Sequence, residues 1–91
     1  MPKPPFSVIW DRVVKHAGQA FHTRKGLPFP YDVNGNTVVP GRAKQNIPRS
    51  DFEKAYNVVP LEGPGEISRE VRGSAYIWAI LHDARIRQGQ W

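Results

Sequence analysis

The sequence predicts a small α+β domain: an N-terminal helix packed on a small antiparallel sheet (hairpin or three-stranded meander), followed by two shorter helices. Three observations carry that prediction. Phe6, Ile9, Trp10, Val13, Val14 and Ala17 recur at helical spacing. Asn34-Gly35 sits between two alternating β-type runs. A second apolar run, Ala75 to Leu81, follows Gly73-Ser74.

In the first helix the apolar stripe defines the buried face and Trp10 belongs to it, which makes Trp10 a core residue rather than a ligand platform. Ser7 is placed to cap the helix start, Asp11 suits its first turn, and Gly18 suits its end. Strands are expected at Ala20 to Arg24, Phe29 to Val33 and Asn36 to Val39. With Asn34-Gly35 as a two-residue turn, Tyr31 faces Val38 and Val33 faces Asn36, so Phe29, Tyr31, Val33 and Val38 share the buried face. A three-residue loop at Lys25-Gly26-Leu27, with Gly26 left-handed, adds Phe21 and Thr23 to that face and turns His22 and Arg24 outward. Pro28 and Pro30 supply no ladder donor and weaken the middle strand.

Gly41 to Pro48 shows no hydrophobic period and reads as an exposed basic loop. Ser50-Asp51-Phe52-Glu53 has the spacing of a capping box and predicts a helix to about Asn57 that buries Phe52, Ala55 and Tyr56. Ile67 to Val71 is a short strand or turn. The last helix starts at the Ser74 cap, and Ile86 is the final core position. The 91 residues form one domain, with 1–5 and 87–91 as flexible tails.

Composition narrows the function classes. Hydrophobic residues at 40% and charged residues at 23% are ordinary globular usage, against wholesale disorder. The absence of cysteine excludes disulfides, thiolate metal sites and a cysteine nucleophile. No apolar run approaches the ~18 residues of a membrane span and no signal segment is visible, which suggests a cytoplasmic protein without a membrane partner. The net charge of +5 is uneven. Residues 12–50 hold Arg12, Lys15, Arg24, Lys25, Arg42, Lys44 and Arg49 against Asp32 alone, a local +6, while the remainder is nearly neutral. A cationic footprint confined to one stretch is the signature of a polyanion-binding surface, and also of a merely soluble small domain.

The sequence resembles, through Ala17-Gly18, Phe21, Thr23, Gly26, Phe29, Tyr31, Ile47, Arg49-Ser50, Phe52-Glu53, Gly63-Pro64, Val71-Arg72-Gly73-Ser74, Tyr76, Ala79-Ile80-Leu81, Asp83 and Arg85-Ile86, small uncharacterised bacterial proteins, some carried on mobile, integron-type gene cassettes. The resemblance spans residues 17–86. It implies a bacterial, horizontally mobile setting and no activity.

Two stretches carry candidate binding residues. The basic hairpin surface of His22, Arg24, Lys25, Arg42 and Lys44 suits nucleic-acid phosphates, and because Phe29 and Tyr31 face inward, phosphate contact is expected over base stacking. At Arg72-Gly73-Ser74 a helix start would offer free N–H groups and Arg72 a guanidinium to an anion; the plainer reading is a turn, a cap and an Arg72 pair with Glu66 or Glu70. Catalysis has little support. His16, His22 and His82 lack metal spacing, no nucleophile or phosphate-loop motif occurs, and Asp83 with Arg85 reads as a local cap and pair. No cofactor and no metal are expected. The alternative function is a protein-interaction or self-associating subunit: three Trp, three Tyr and four Phe are many for a small core, and a homodimer or partner would cover the excess.

Overall fold

The computed structural model describes residues 3–41 and 45–91. The elements run α1 (Phe6–Lys15), β1 (Phe21–His22), β2 (Pro28–Phe29), β3 (Tyr31–Asn34), β4 (Thr37–Pro40), β5 (Ile47–Pro48), α2 (Arg49–Tyr56), a 3-10 turn (Pro64–Glu66), α3 (Ser74–Leu81) and α4 (Ala84–Arg87). The class is α+β, as the patterning predicts.

The strands form two antiparallel sheets, β1-β2 and β3-β4-β5, rather than one meander. Pro30 stands at the break and has no amide hydrogen to continue the ladder. In the larger hairpin Val33 pairs with Val38 and Tyr31 with Pro40, so the turn residues are Gly35 and Asn36. Gly35 has φ +60°, the left-handed geometry required of the first central residue in a type II′ turn. This pairing differs by two residues from the expected one. A two-residue shift keeps every side chain on its face, so Tyr31 and Val38 remain buried and Val33 half-buried. Ile47, expected in an exposed loop, is fully buried in β5 and pairs with Val38. A two-residue strand leaves no period to read, which is why the pattern missed it.

α1 packs against α2 and α4 and meets the sheets through Tyr31. Ile9, Trp10 and Val13 are buried, but Val14 is exposed because the stripe facing those two helices is narrower than the sequence suggests. None of the three expected serine caps forms. Ser7, Ser50 and Ser74 lie inside their helices, whose N-caps are Pro5, Pro48 and Gly73 without side-chain hydrogen bonds. Extended prolines and a left-handed glycine already set the entry angle, so each helix begins before its serine. Asp11 is likewise outside the first turn of α1. Gly18 does close α1 with φ +87°, and Tyr31 completes that end. Its hydroxyl donates to the Val13 carbonyl while its own carbonyl accepts from Gly18 N–H at 2.7 Å, satisfying groups that a helix terminus leaves open.

Phe52, Ala55 and Tyr56 are buried on α2, as the spacing predicts. Residues 67–71 form turns over the buried Ile67 instead of a strand. The closing segment, expected without a helix, is α4, capped by Asp83, whose side chain accepts from Arg85 N–H. Both ends of the described chain pack on the body. Lys3 Nζ donates to the Tyr56 carbonyl, and Trp91 Nε1 donates to the Leu81 carbonyl at 2.9 Å with its ring edge-on to Tyr56.

Candidate nucleic-acid interface

The first hairpin loop is built by Thr23. Its N–H donates to the Leu27 carbonyl at 2.9 Å, its hydroxyl accepts from Leu27 N–H at 3.1 Å, and its carbonyl accepts from Gly26 N–H at 2.8 Å. Gly26 takes the left-handed conformation, φ +85°. Arg24 and Lys25 stand exposed on this loop, and His22 is exposed on β1 opposite Pro28. The loop is closed by Thr23 and Leu27, and His22 pairs with Pro28, so the register differs by two residues from the one a Lys25-Gly26-Leu27 loop predicts; the shift keeps His22 outward and places Arg24 in the turn. Arg42 and Lys44 lie outside the described residues.

The loop faces the 3-10 turn and the first turn of α3 across an open groove of about 420 Å³. Arg24 and Lys25 flank it, and Leu27, Pro64, Gly65 and Tyr76 contribute its apolar and backbone surface. No lining residue is acidic. The Arg24 guanidinium lies directly on the Gly63 backbone, where a Cβ on residue 63 would approach Nη1 to 2.0 Å. Gly63 has extended backbone, so glycine serves here to admit a close approach rather than a special φ. Tyr76 is half-buried, held edge-on against Phe29 with ring centroids 4.9 Å apart. Sequence reasoning missed Tyr76, Leu27 and Gly63. Tyr76 was hidden inside a uniformly apolar run, although a tyrosine there signals a ring with one wet edge.

The cations of residues 12–50 divide by use. Arg12 donates to the Ile86 carbonyl at 2.8 Å and to Gln90, tying α1 to the C-terminus. Arg49 lies over the rings of Phe6 and Trp10, 5.5 and 5.7 Å from their centroids. Lys15, Arg24 and Lys25 donate to no acceptor among the described residues. Two members of the +6 stretch are thus structural, and the loop pair is not.

At the second candidate stretch Arg72 is exposed, Gly73 is the left-handed N-cap of α3 with φ +60°, and Ser74 is the first helical residue. The Arg72 N–H donates to Asp51 Oδ2 at 3.0 Å, and Asp51 is only 7% exposed. A buried carboxylate of the chain itself thus lies against the peptide just before this N-terminus and adds negative charge beside it. Neither Glu66 nor Glu70 pairs with Arg72 among the described residues.

The groups that could suggest catalysis are structural. His82 Nε2 accepts from Leu61 N–H at 2.9 Å and Nδ1 donates to the Trp78 carbonyl at 3.0 Å, while the imidazole stacks on the Trp78 ring. Both nitrogens are consumed by the neutral tautomer, and burial lowers the His82 pKa below its ordinary value. Asp83 pairs with Arg85 at 2.8 Å, and that guanidinium holds the carboxyl below its usual range. Arg85 also donates to the Ala20 carbonyl at 2.8 Å and covers the Phe21 ring at 3.8 Å, clamping α4 to β1. Among the described residues no group of three His, Asp or Glu side chains could hold a metal, and no helix is long and apolar enough to cross a membrane. Comparison with protein-family models, with curated proteins and with solved structures finds no match.

Proposed function

We propose that the domain is a small basic binding module that holds nucleic-acid phosphates through its first hairpin loop, without catalysis. The carrying observation is the pair Arg24 and Lys25: exposed, uncommitted to internal acceptors, and beside a groove with no acidic lining. The sequence places them in a stretch of +6 that also includes Arg42 and Lys44. Phosphate contact of this kind depends on counterion release, so binding weakens steeply with salt. The competing reading, a self-associating or protein-binding subunit, drew on an excess of aromatic side chains. All ten are buried or half-buried, and the large apolar side chains left exposed are the aliphatic Val8, Val14, Leu27 and Val58.

The test is fluorescence anisotropy of labelled nucleic acid across a salt series, with Arg24→Ala, Lys25→Ala, Arg42→Ala and Lys44→Ala made singly and together. Each phosphate contact removed should reduce the log–log salt slope by about 1 and weaken binding to all sequences alike. An unchanged slope in the quadruple variant would dismiss this surface, and a dimer that ignores salt and nucleic acid would favour the competing reading.

A further inference from the structure

Cations by themselves suit the regularly spaced phosphates of a duplex, whereas cations beside an apolar and aromatic platform suit a single strand whose bases are free to stack. The groove next to Arg24 and Lys25 has the second composition. Tyr76 is fixed by its edge-on contact with Phe29, so a base meets a preorganised ring rather than one that must be immobilised. Leu27, from the hairpin loop, is 48% exposed although the loop needs only its backbone, whose N–H and carbonyl bond to Thr23. About half of this residue's surface is therefore open to the groove side and to solvent, an apolar area that a ligand can cover. The Tyr76 hydroxyl has no hydrogen-bond partner among the described residues, leaving it available to a base edge. Pro64 and Gly65 present a low wall with little side chain between the two.

Resting on the phosphate-binding reading above, we infer that the ligand is single-stranded nucleic acid, with one unpaired base seated in the groove between Leu27 and Tyr76 and its flanking phosphates on Arg24 and Lys25. Paired bases in a duplex cannot enter the groove, because their faces are covered by the neighbouring steps. Stacking on a tyrosine face needs no base identity, so pyrimidine and purine strands bind alike.

The experiment compares four fluorescein-labelled probes against the full chain at low salt: a dT oligomer of about 12 nucleotides, its oligo-U counterpart, an abasic strand of the same length, and a duplex. Stacking of one base predicts that the dT and U strands bind about 5- to 150-fold more tightly than the abasic strand. The two strands differ only in sugar and methyl group, so their ratio tells DNA from RNA. Leu27→Ala should remove most of this preference while the far-ultraviolet spectrum and the affinity for the abasic strand stay unchanged; Tyr76→Ala should act likewise if it folds, and the abasic comparison requires no variant. Equal binding of the abasic, duplex and base-bearing probes would overturn the stacking inference and leave the phosphate reading intact. Failure to bind any probe would overturn both.

Discussion

Gly73 is the position at which a single methyl group tests the packing most sharply. Its φ is +60°, and a Cβ placed there would lie 2.5 Å from Ile47 Cδ1 and 3.1 Å from Gln45 Oε1. Gly35 also has φ +60°, with nothing within 4 Å of its Cβ position, and so shows the cost of a positive φ without a clash. Left-handed geometry costs a non-glycine residue about 1–2 kcal/mol. Gly35→Ala should lose roughly that, less the few tenths of a kcal/mol or more recovered by restricting the unfolded chain. Gly73→Ala recovers the same from the unfolded chain and adds overpacking against a fully buried isoleucine, worth about 1–3 kcal/mol, for about 1–4.5 kcal/mol net. In a domain of this size each kcal/mol moves Tm by roughly 4–8 °C, so Gly73→Ala should fall at least about 4 °C. Denaturant unfolding followed by tryptophan fluorescence and circular dichroism measures both variants. Ile47→Val, which deletes the opposing Cδ1, should cost about 0.5–1.5 kcal/mol alone. Combined with Gly73→Ala it should cost less than the sum of the two by about 1 kcal/mol, since the closest contact is removed while those at 3.1 Å to Ile47 Cγ1 and Gln45 Oε1 remain. Strict additivity in the cycle would refute the claim that Gly73 is glycine because Ile47 lies against it.

Two further outcomes follow from buried polar groups. Tyr31→Phe leaves the Val13 carbonyl at the end of α1 without its hydroxyl donor, and should cost about 1–3 kcal/mol in chemical denaturation with no change of fold; a loss below ~0.5 kcal/mol would mean that this bond does not stabilise the helix end. His82 is half-buried with both ring nitrogens bonded as the neutral imidazole, and its partial burial holds the folded pKa below the unfolded value of about 6.5. The unfolded chain then binds the extra proton first, and the stability due to neutral His82 is complete above about pH 6.5 and lost as pH falls through the folded pKa. Wild-type Tm should therefore drop more than that of His82→Gln between about pH 7 and 5, and parallel curves would exclude the mechanism.

Long periodic or punctuated features were legible from the chain alone. The spacing of Ile9, Trp10 and Val13 defined α1 and its buried side, because a helix repeats every 3.6 residues whatever packs on it. Gly26 marked the first hairpin turn, and alternation before it separated buried Phe21 from exposed His22, because only two faces exist in a strand. The uneven placement of cations was likewise a property of sequence.

Whatever required a distant partner was decided by the tertiary structure. Ile47 became a strand because β4 offered an open edge to it, a fact that two residues cannot announce. The serines lost their capping role to Pro5, Pro48 and Gly73, and Asp51 turned to a peptide N–H 21 residues away, because burial rewards a satisfied carboxylate wherever its donor comes from. Arg12 and Arg49 left the cationic surface for a carbonyl and two rings, whereas Arg24 and Lys25 remained on it. Charge adds along a chain, but which charges face water and which aromatic stands beside them depends on how the chain folds back on itself, and here it brought Tyr76 of α3 to the loop of Arg24 and Lys25.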